Sequence, residues 1–279
     1  MTDAPRDAGL YGPGSVTWKV VGHPGAIIGG LRALIVQSFH PLAMAGVANH
    51  SDYTRRPLDR LTRTAYYVAA TCFGDTETAK AAAQRVKRMH RKVVGVDQVT
   101  GRPYSAADPE IQLWVHCVEV HSYLAAYRVF GGGLTADQQD QYLAESARRA
   151  ALLEVDPADV PATVEQLRDY WESMRETLLV SQATRDTLNF VTRPQPRGEL
   201  MAVFPALVVL ANAAVAITPG YLRRLGGIDR PRAIDAAAIT AARPALGALR
   251  LPFVRDLPAR LYGRETHALG KAARARMAA

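Results

Sequence analysis

Residues 76–94 read TETAKAAAQRVKRMHRKVV. Alanine and straight-chain residues fill the run, with no Gly or Pro, so it predicts a helix over Thr76–Val94. On a helical wheel His90 shares a face with Ala82, Ala83, Val86, Val93 and Val94. Lys80, Lys87, Arg88, Arg91 and Lys92 fall on the flanks and the far side. The helix is therefore amphipathic, and one imidazole projects from its apolar stripe. The same alanine bias runs through the chain, while no Asn-Gly or Asp-Gly turn joins alternating apolar runs. The class this predicts is all-α.

Working outward, Phe73-Gly74-Asp75 stops one helix and caps the next. The preceding helix is predicted over Leu58–Cys72. Upstream, a helix over Ala26–Phe39 turns at His40-Pro41 into a second that runs to about Asn49, with Pro41 at its first position. Downstream, residues 95–107 read as a loop. Asp108-Pro109 opens a long helix to about Val129, and Thr135 with Gln138 begins another to about Leu153. Further helices are expected over Thr163–Leu179, Ser181–Phe190, Glu199–Ile217, Tyr221–Leu225 and Ile234–Leu249, with a short C-terminal piece. Residues 1–24 read as an irregular lead-in, 25–195 as the helical core and 196–279 as a C-terminal helical layer. The break is placed near Arg193–Gly198, and a single globule is the simplest arrangement.

The chain has 279 residues and a formal net charge of +8. Its basic residues are dispersed over several helices, with no polybasic arm, which argues against a nucleic-acid partner. The two cysteines, Cys72 and Cys117, form neither a CxxC nor a haem-attachment motif. The first twenty residues lack an apolar signal core, so a cytoplasmic, reducing compartment is expected. Leu200–Thr218 is long enough to cross a bilayer. Pro205, Asn212 and its many alanines favour a buried or membrane-skimming helix instead, which leaves contact with a membrane surface open.

A buried neutral imidazole needs a hydrogen bond or a metal. His90 is thus either a core histidine bonded to a carbonyl or a haem ligand, for which small neighbours leave room. In RPLDRLTRTAYY, Arg60, Arg63, Thr64 and Tyr67 share one face. They form either a solvated surface or a cationic edge able to pair with a propionate. His40 and His50 flank a helix of small residues, Ala43, Ala45, Gly46 and Ala48, that lets another object approach its backbone. They read as caps or pocket-lining groups. Trp114, His116, Glu119 and His121 follow, and His116 and Glu119 share a face. His116 reads first as a structural histidine. Arg185 is left as a surface residue. Glu-x-x-His pairs, His-Glu-x-x-His, Gly-x-Ser-x-Gly, P-loop and Rossmann patterns are absent from the sequence, which sets aside the common non-haem metal and nucleotide sites.

Four stretches in order carry a resemblance: LIVQSFHPLAMAGVANHSDY, RPLDRLTRTAYYV, VKRMHRKVVG and YSAADPEIQLWVHCV. They resemble the MpaB-type and latex-clearing-protein (rubber oxygenase) catalytic domain, over roughly residues 25–195. The resemblance implies an all-α, globin-related core with added C-terminal helices, a non-covalent haem b and oxygen-dependent chemistry. It implies that His90 holds the iron. It matches Arg60, Arg63 and Thr64 to the family's Arg-x-x-Lys-Thr motif, with Arg63 in place of the lysine. A guanidinium stays protonated and makes a poor iron ligand. Around the cofactor, Arg60, Arg63, Val86, His40, Trp114 and His116 are the expected neighbours. No acidic residue stands between Phe39 and Asn49 to match the one that assists latex cleavage.

The expectation is a haem b-dependent oxygenase acting on an apolar small molecule, isoprenoid or lipid-like, by oxygen insertion or C=C cleavage. Its co-substrate is dioxygen or peroxide, and its electron donor is unnamed. The alternative is a non-catalytic haem or lipid-binding protein of the same fold.

Overall fold

Side-chain caps set where the helices begin. In the computed structural model, which describes residues 7–51, 57–194, 201, 204–249 and 263–278, Asp75 accepts from the Thr78 amide and Asp108 from that of Glu110. Thr135 and Gln138 form a reciprocal capping box. His40 caps with its ring, Nδ1 accepting from the Ala43 amide, and Pro41 takes the first turn. Each cap satisfies an amide that the helix itself leaves unpaired.

The helices run α1 Val16–Val21, α2 Ala26–Gln37, α3 Pro41–His50, α4 Pro57–Phe73, α5 Thr76–His90, α6 Pro109–Phe130 and α7 Ala136–Ala151. They continue as α8 Val164–Met174, α9 Gln182–Thr192, α10 Phe204–Ala216, α11 Gly220–Leu225, α12 Arg232–Ala248 and α13 Arg264–Ala278. A small antiparallel hairpin, β1 Val94–Val96 and β2 Pro103–Ser105, stands between α5 and α6. The fold is an all-α single domain.

The long α6 is the axis of the core, and α2 packs along it. Gly29 permits the contact: a Cβ there would sit 2.7 Å from Cδ1 of Tyr123 and 3.1 Å from the Ser122 carbonyl oxygen. Ile28, Ile35, Phe39, Trp114 and Leu124 are fully buried in one cluster. Leu210, Val215, Ala242 and Leu246 join that same cluster. The C-terminal layer therefore shares the core, with α10 wedged between α2 and α12. Residues 195–198 of the expected break lie outside the described residues. Among the described residues no single helix is long and apolar enough to cross a membrane. The apolar α10 buries Leu210, Ala211, Ala213, Ala214 and Val215 within the protein.

Four expectations need correction. The lead-in contains α1, started by Ser15, which caps the Trp18 amide, and anchored where Thr17 donates to Glu145 through both its amide and its hydroxyl. The helix expected over Thr76–Val94 stops at His90. The chain turns there, with the Val93 amide bonded to the His90 carbonyl, and β-branched Val93 and Val94 then favour extension. Residues 95–107 contain the hairpin. Its turn needs no Asn-Gly, because the buried Asp97 carboxylate accepts from the Thr100 amide at 2.9 Å and its hydroxyl at 2.6 Å, and Gly101 takes the left-handed φ of +69°. The helix expected to reach Leu179 ends at Met174, followed by a 3-10 turn at Arg175–Thr177.

The hairpin is also the object that approaches the small-residue helix. Gly46 of α3 faces Val93 and Tyr104. Asn49 Nδ2 donates to the Tyr104 hydroxyl at 3.0 Å, and His50 Nε2 lies 3.1 Å from the Val94 carbonyl oxygen.

Candidate cofactor site

The two-residue link Gly74-Asp75 folds α5 back on α4. The last turn of α5 therefore stands at the same end of this helix pair as the first turns of α4. That brings His90 to the end where Arg60, Arg63 and Thr64 lie. Arg60 is half-buried, whereas Arg63 and Thr64 are exposed. Val86, one turn before His90, is half-buried, and Ala82 and Ala83 are buried on the face that meets the protein.

His90 is half-buried, and its Nδ1 is buried without a hydrogen-bond partner. Burial pushes its pKa down, and a weak side-chain hydrogen bond with Gln112 opposes that shift. Gln112, near the start of α6, donates from Nε2 to the Ala107 carbonyl at 3.1 Å. Its Oε1 is also buried without a partner. A buried polar atom left unpaired costs about 1–3 kcal/mol, so native proteins rarely keep one without a use. A desolvated ring nitrogen that is at most weakly bonded to Gln112 suits an iron ligand. The chemistry of His90 thus suits a haem iron.

The other expected neighbours have different settings. The His40 ring lies 5.5 Å from the Trp114 ring, and burial, then the positive charge of Arg102, lowers its pKa to about 4. Trp114 is fully buried and meets Trp171 edge-on at 5.1 Å, so it belongs to the core behind His40. His116 Nε2 lies 3.1 Å from Ser146 Oγ, and burial holds its pKa well below the ordinary value. That contact gives His116 the structural role. Arg185 is exposed.

Three groups were not singled out from sequence. Gln112 lies one turn before His116 on α6, and only the antecedent His90 reading would have drawn attention to it. Arg149 sits in a basic run that reads as solvated, yet it is buried and donates from Nη1 to Glu119 at 2.7 Å. Arg32 is buried too, although nothing in AIIGGLRALIVQ marks it beyond a charge in an apolar helix. Among the described residues no group of three or more His, Cys, Asp or Glu side chains is placed to hold a bare metal ion.

Comparison with known proteins gives one family. Residues 18–250 match the model described as "ER-bound oxygenase mpaB/B'/Rubber oxygenase, catalytic domain". No curated protein and no solved structure matches significantly. The match takes in all but the ends of the chain, from α1 through α12, and includes His90 and its neighbours. The chain belongs to the mpaB/rubber oxygenase catalytic-domain family.

Proposed function

We propose that this oxygenase-family chain uses haem b, held by His90, to oxidise an apolar small molecule of isoprenoid or lipid-like character. The observation that carries this reading is the buried ring nitrogen of His90 at the end of α5, which no strong hydrogen bond occupies. Haem, when bound, supplies an iron at which dioxygen or peroxide is activated. His90 would ligate through one ring nitrogen while Gln112 orients the ring through the other. Arg60 and Arg63 supply positive charge for carboxylates at the cofactor's edge. Thr64 offers a hydroxyl that can donate or accept a proton. Half-buried Val86, one turn before His90, keeps the adjoining surface apolar.

Two reaction classes are open to such a site, and they differ in their need for electrons. Splitting a C=C bond into two carbonyls consumes one dioxygen and no external reductant. Inserting a single oxygen atom from dioxygen takes two further electrons from a donor. The buried thiols Cys72 and Cys117, whose pKa values burial raises to about 11 and about 12, suit a reducing, cytoplasmic compartment.

An apolar substrate has to be met somewhere. The hairpin exposes Val94, Val96 and Val99, and Met89 is exposed beside it. Arg88, Arg91, Lys92 and Arg102 surround them in the chain and are exposed as well. Apolar tips within a basic surround suit an anionic lipid surface, so we place peripheral membrane contact at this edge.

The test is the absorption spectrum of the protein titrated with haemin, beside His90→Ala. A Soret band that shifts or weakens in the variant supports histidine ligation. A wild type that takes up no haemin overturns the cofactor. Oxygen uptake with squalene, with and without reductant, then separates cleavage from insertion. Haem binding with no oxygen uptake on any apolar probe favours a carrier of the same fold.

A further inference from the structure

Away from His90, a cavity of about 260 Å³ opens between α6, α8 and the start of α11. From Gln112 to Leu124 on its wall is about 18 Å along α6. The space lies just below the usual range of drug-sized ligand pockets, which suits a small ligand. Its floor is apolar, with Leu124, Leu167 and Trp171 buried and Tyr221 half-buried. Its rim is cationic: Arg128, Arg168 and Arg175 face a single carboxylate, Glu172, which is bound to Arg175 at 2.9 Å.

The charge continues behind the wall. Arg32 is buried, and its partners are all neutral: the Ile217 carbonyl at 3.0 Å, Ser122 Oγ at 2.6 Å and His121 Nδ1 at 3.5 Å. No carboxylate among the described residues pairs with it. Burial lowers its pKa to about 9, as expected of a guanidinium without a counter-charge. His121, which lines the cavity, is kept neutral by burial and by the charges of Arg32 and Arg128. Arg128 is held by Gln139, again a neutral partner. Two lining side chains also keep a buried hydrogen-bonding atom without a partner, Trp171 Nε1 and Tyr221 Oη.

A basic mouth over an apolar floor, with spare hydrogen-bonding groups in the wall, selects one kind of ligand. We propose that this cavity binds a small amphipathic anion, with its carboxylate or other oxyanion head at Arg168 and Arg175 and its apolar body on Leu124, Leu167 and Trp171. The head supplies the negative charge the site lacks, and the body covers a surface that phosphate or chloride would leave wet. The assignment does not depend on haem or on His90.

Calorimetric titration of the purified full chain with octanoate, octan-1-ol and inorganic phosphate tests it. A carboxylate pairs with the guanidinium groups where a hydroxyl cannot, so octanoate should bind roughly tenfold more tightly than octanol. It should also bind more tightly than phosphate. Arg168 and Arg175 are exposed, so the double variant R168A/R175A should keep its far-UV spectrum and lose roughly tenfold in octanoate affinity. His90→Ala should bind octanoate as the wild type does. Equal affinity for octanol, equal affinity for phosphate, an unaffected double variant or no octanoate binding would each overturn the proposal. Loss of binding in His90→Ala would overturn it too, by moving the ligand to the other site.

Discussion

Arg149 Nη1 donates to Glu119 Oε1 across 2.7 Å between α7 and α6, with the two side chains only 5% and 17% exposed. Burial opposes charge on Arg149. Glu119, with Cys72, Tyr11 and Tyr67 nearby, nevertheless holds its pKa well above the ordinary value. Taking one partner from such a pair leaves the other charge buried alone, at about 3–5 kcal/mol. Glu119→Leu should lower the unfolding free energy obtained from urea titration by about that amount. Adding Arg149→Met should restore part of the loss, because an apolar pair carries no stranded charge. Additive losses in the double variant would mean that the two side chains act separately.

Acid should weaken the fold before most carboxylates titrate. His40 has a folded pKa of about 4 against an ordinary 6.5, and those of His116 and His121 lie well below 6.5. Below about pH 6.5 the unfolded chain takes up protons that the folded chain refuses. The stability these groups contribute is therefore complete above that pH and declines as pH falls, for His40 down to about pH 4. Each such proton contributes a slope of about 1.4 kcal/mol per pH unit. Urea midpoints at pH 7 and pH 5 should differ accordingly. An unchanged midpoint would show that these rings are protonated in the native state.

Gln112 works against the lowering of the His90 pKa. Gln112→Leu should therefore move the titration of His90 to lower pH, followed by NMR of its ring protons. A shift to higher pH would show that the carboxamide does not stabilise the charged ring. This readout needs no cofactor.

Gly29→Ala tests the α2–α6 contact. Alanine normally gains about 1 kcal/mol over glycine within a helix. Here its Cβ would meet the Tyr123 ring at 2.7 Å and the Ser122 backbone at 3.1 Å, and overpacking costs about 1–3 kcal/mol. The thermal midpoint should fall. A rise would mean that α2 shifts outward freely.

The hairpin edge makes a separate prediction. Val94→Asp with Val96→Asp replaces two exposed side chains outside the main core, so the fold should persist. Sedimentation with phosphatidylserine vesicles should fall in this variant. Equal sedimentation would remove the hairpin from membrane contact.

The helices were legible where local chemistry was explicit. Asp75, Asp108 and the Thr135–Gln138 box announce their caps, and His40-Pro41 announces its turn. Strands of three residues, closed by the side chain of Asp97 rather than by Asn-Gly, leave no periodic signal to read. The helix α1 escaped for a related reason: six residues are too few to show a period, and Glu145, far along the chain, holds it. Within the site, His90 stood out because its face is otherwise apolar. Gln112, Arg149 and Arg32 did not, because what distinguishes them is a partner brought close by folding, or the lack of one.

The tip that closes the hairpin has a practical use. Residues 98–102 are exposed, whereas Asp97 and Tyr104 below them are buried and fix the stem. Exposed loop tips tolerate inserted chain best. A short peptide tag or a fluorophore-bearing cysteine placed between Thr100 and Gly101 would sit about ten residues after His90 in the chain without entering the core. The protein therefore carries a ready position for an optical reporter of whatever occupies that site.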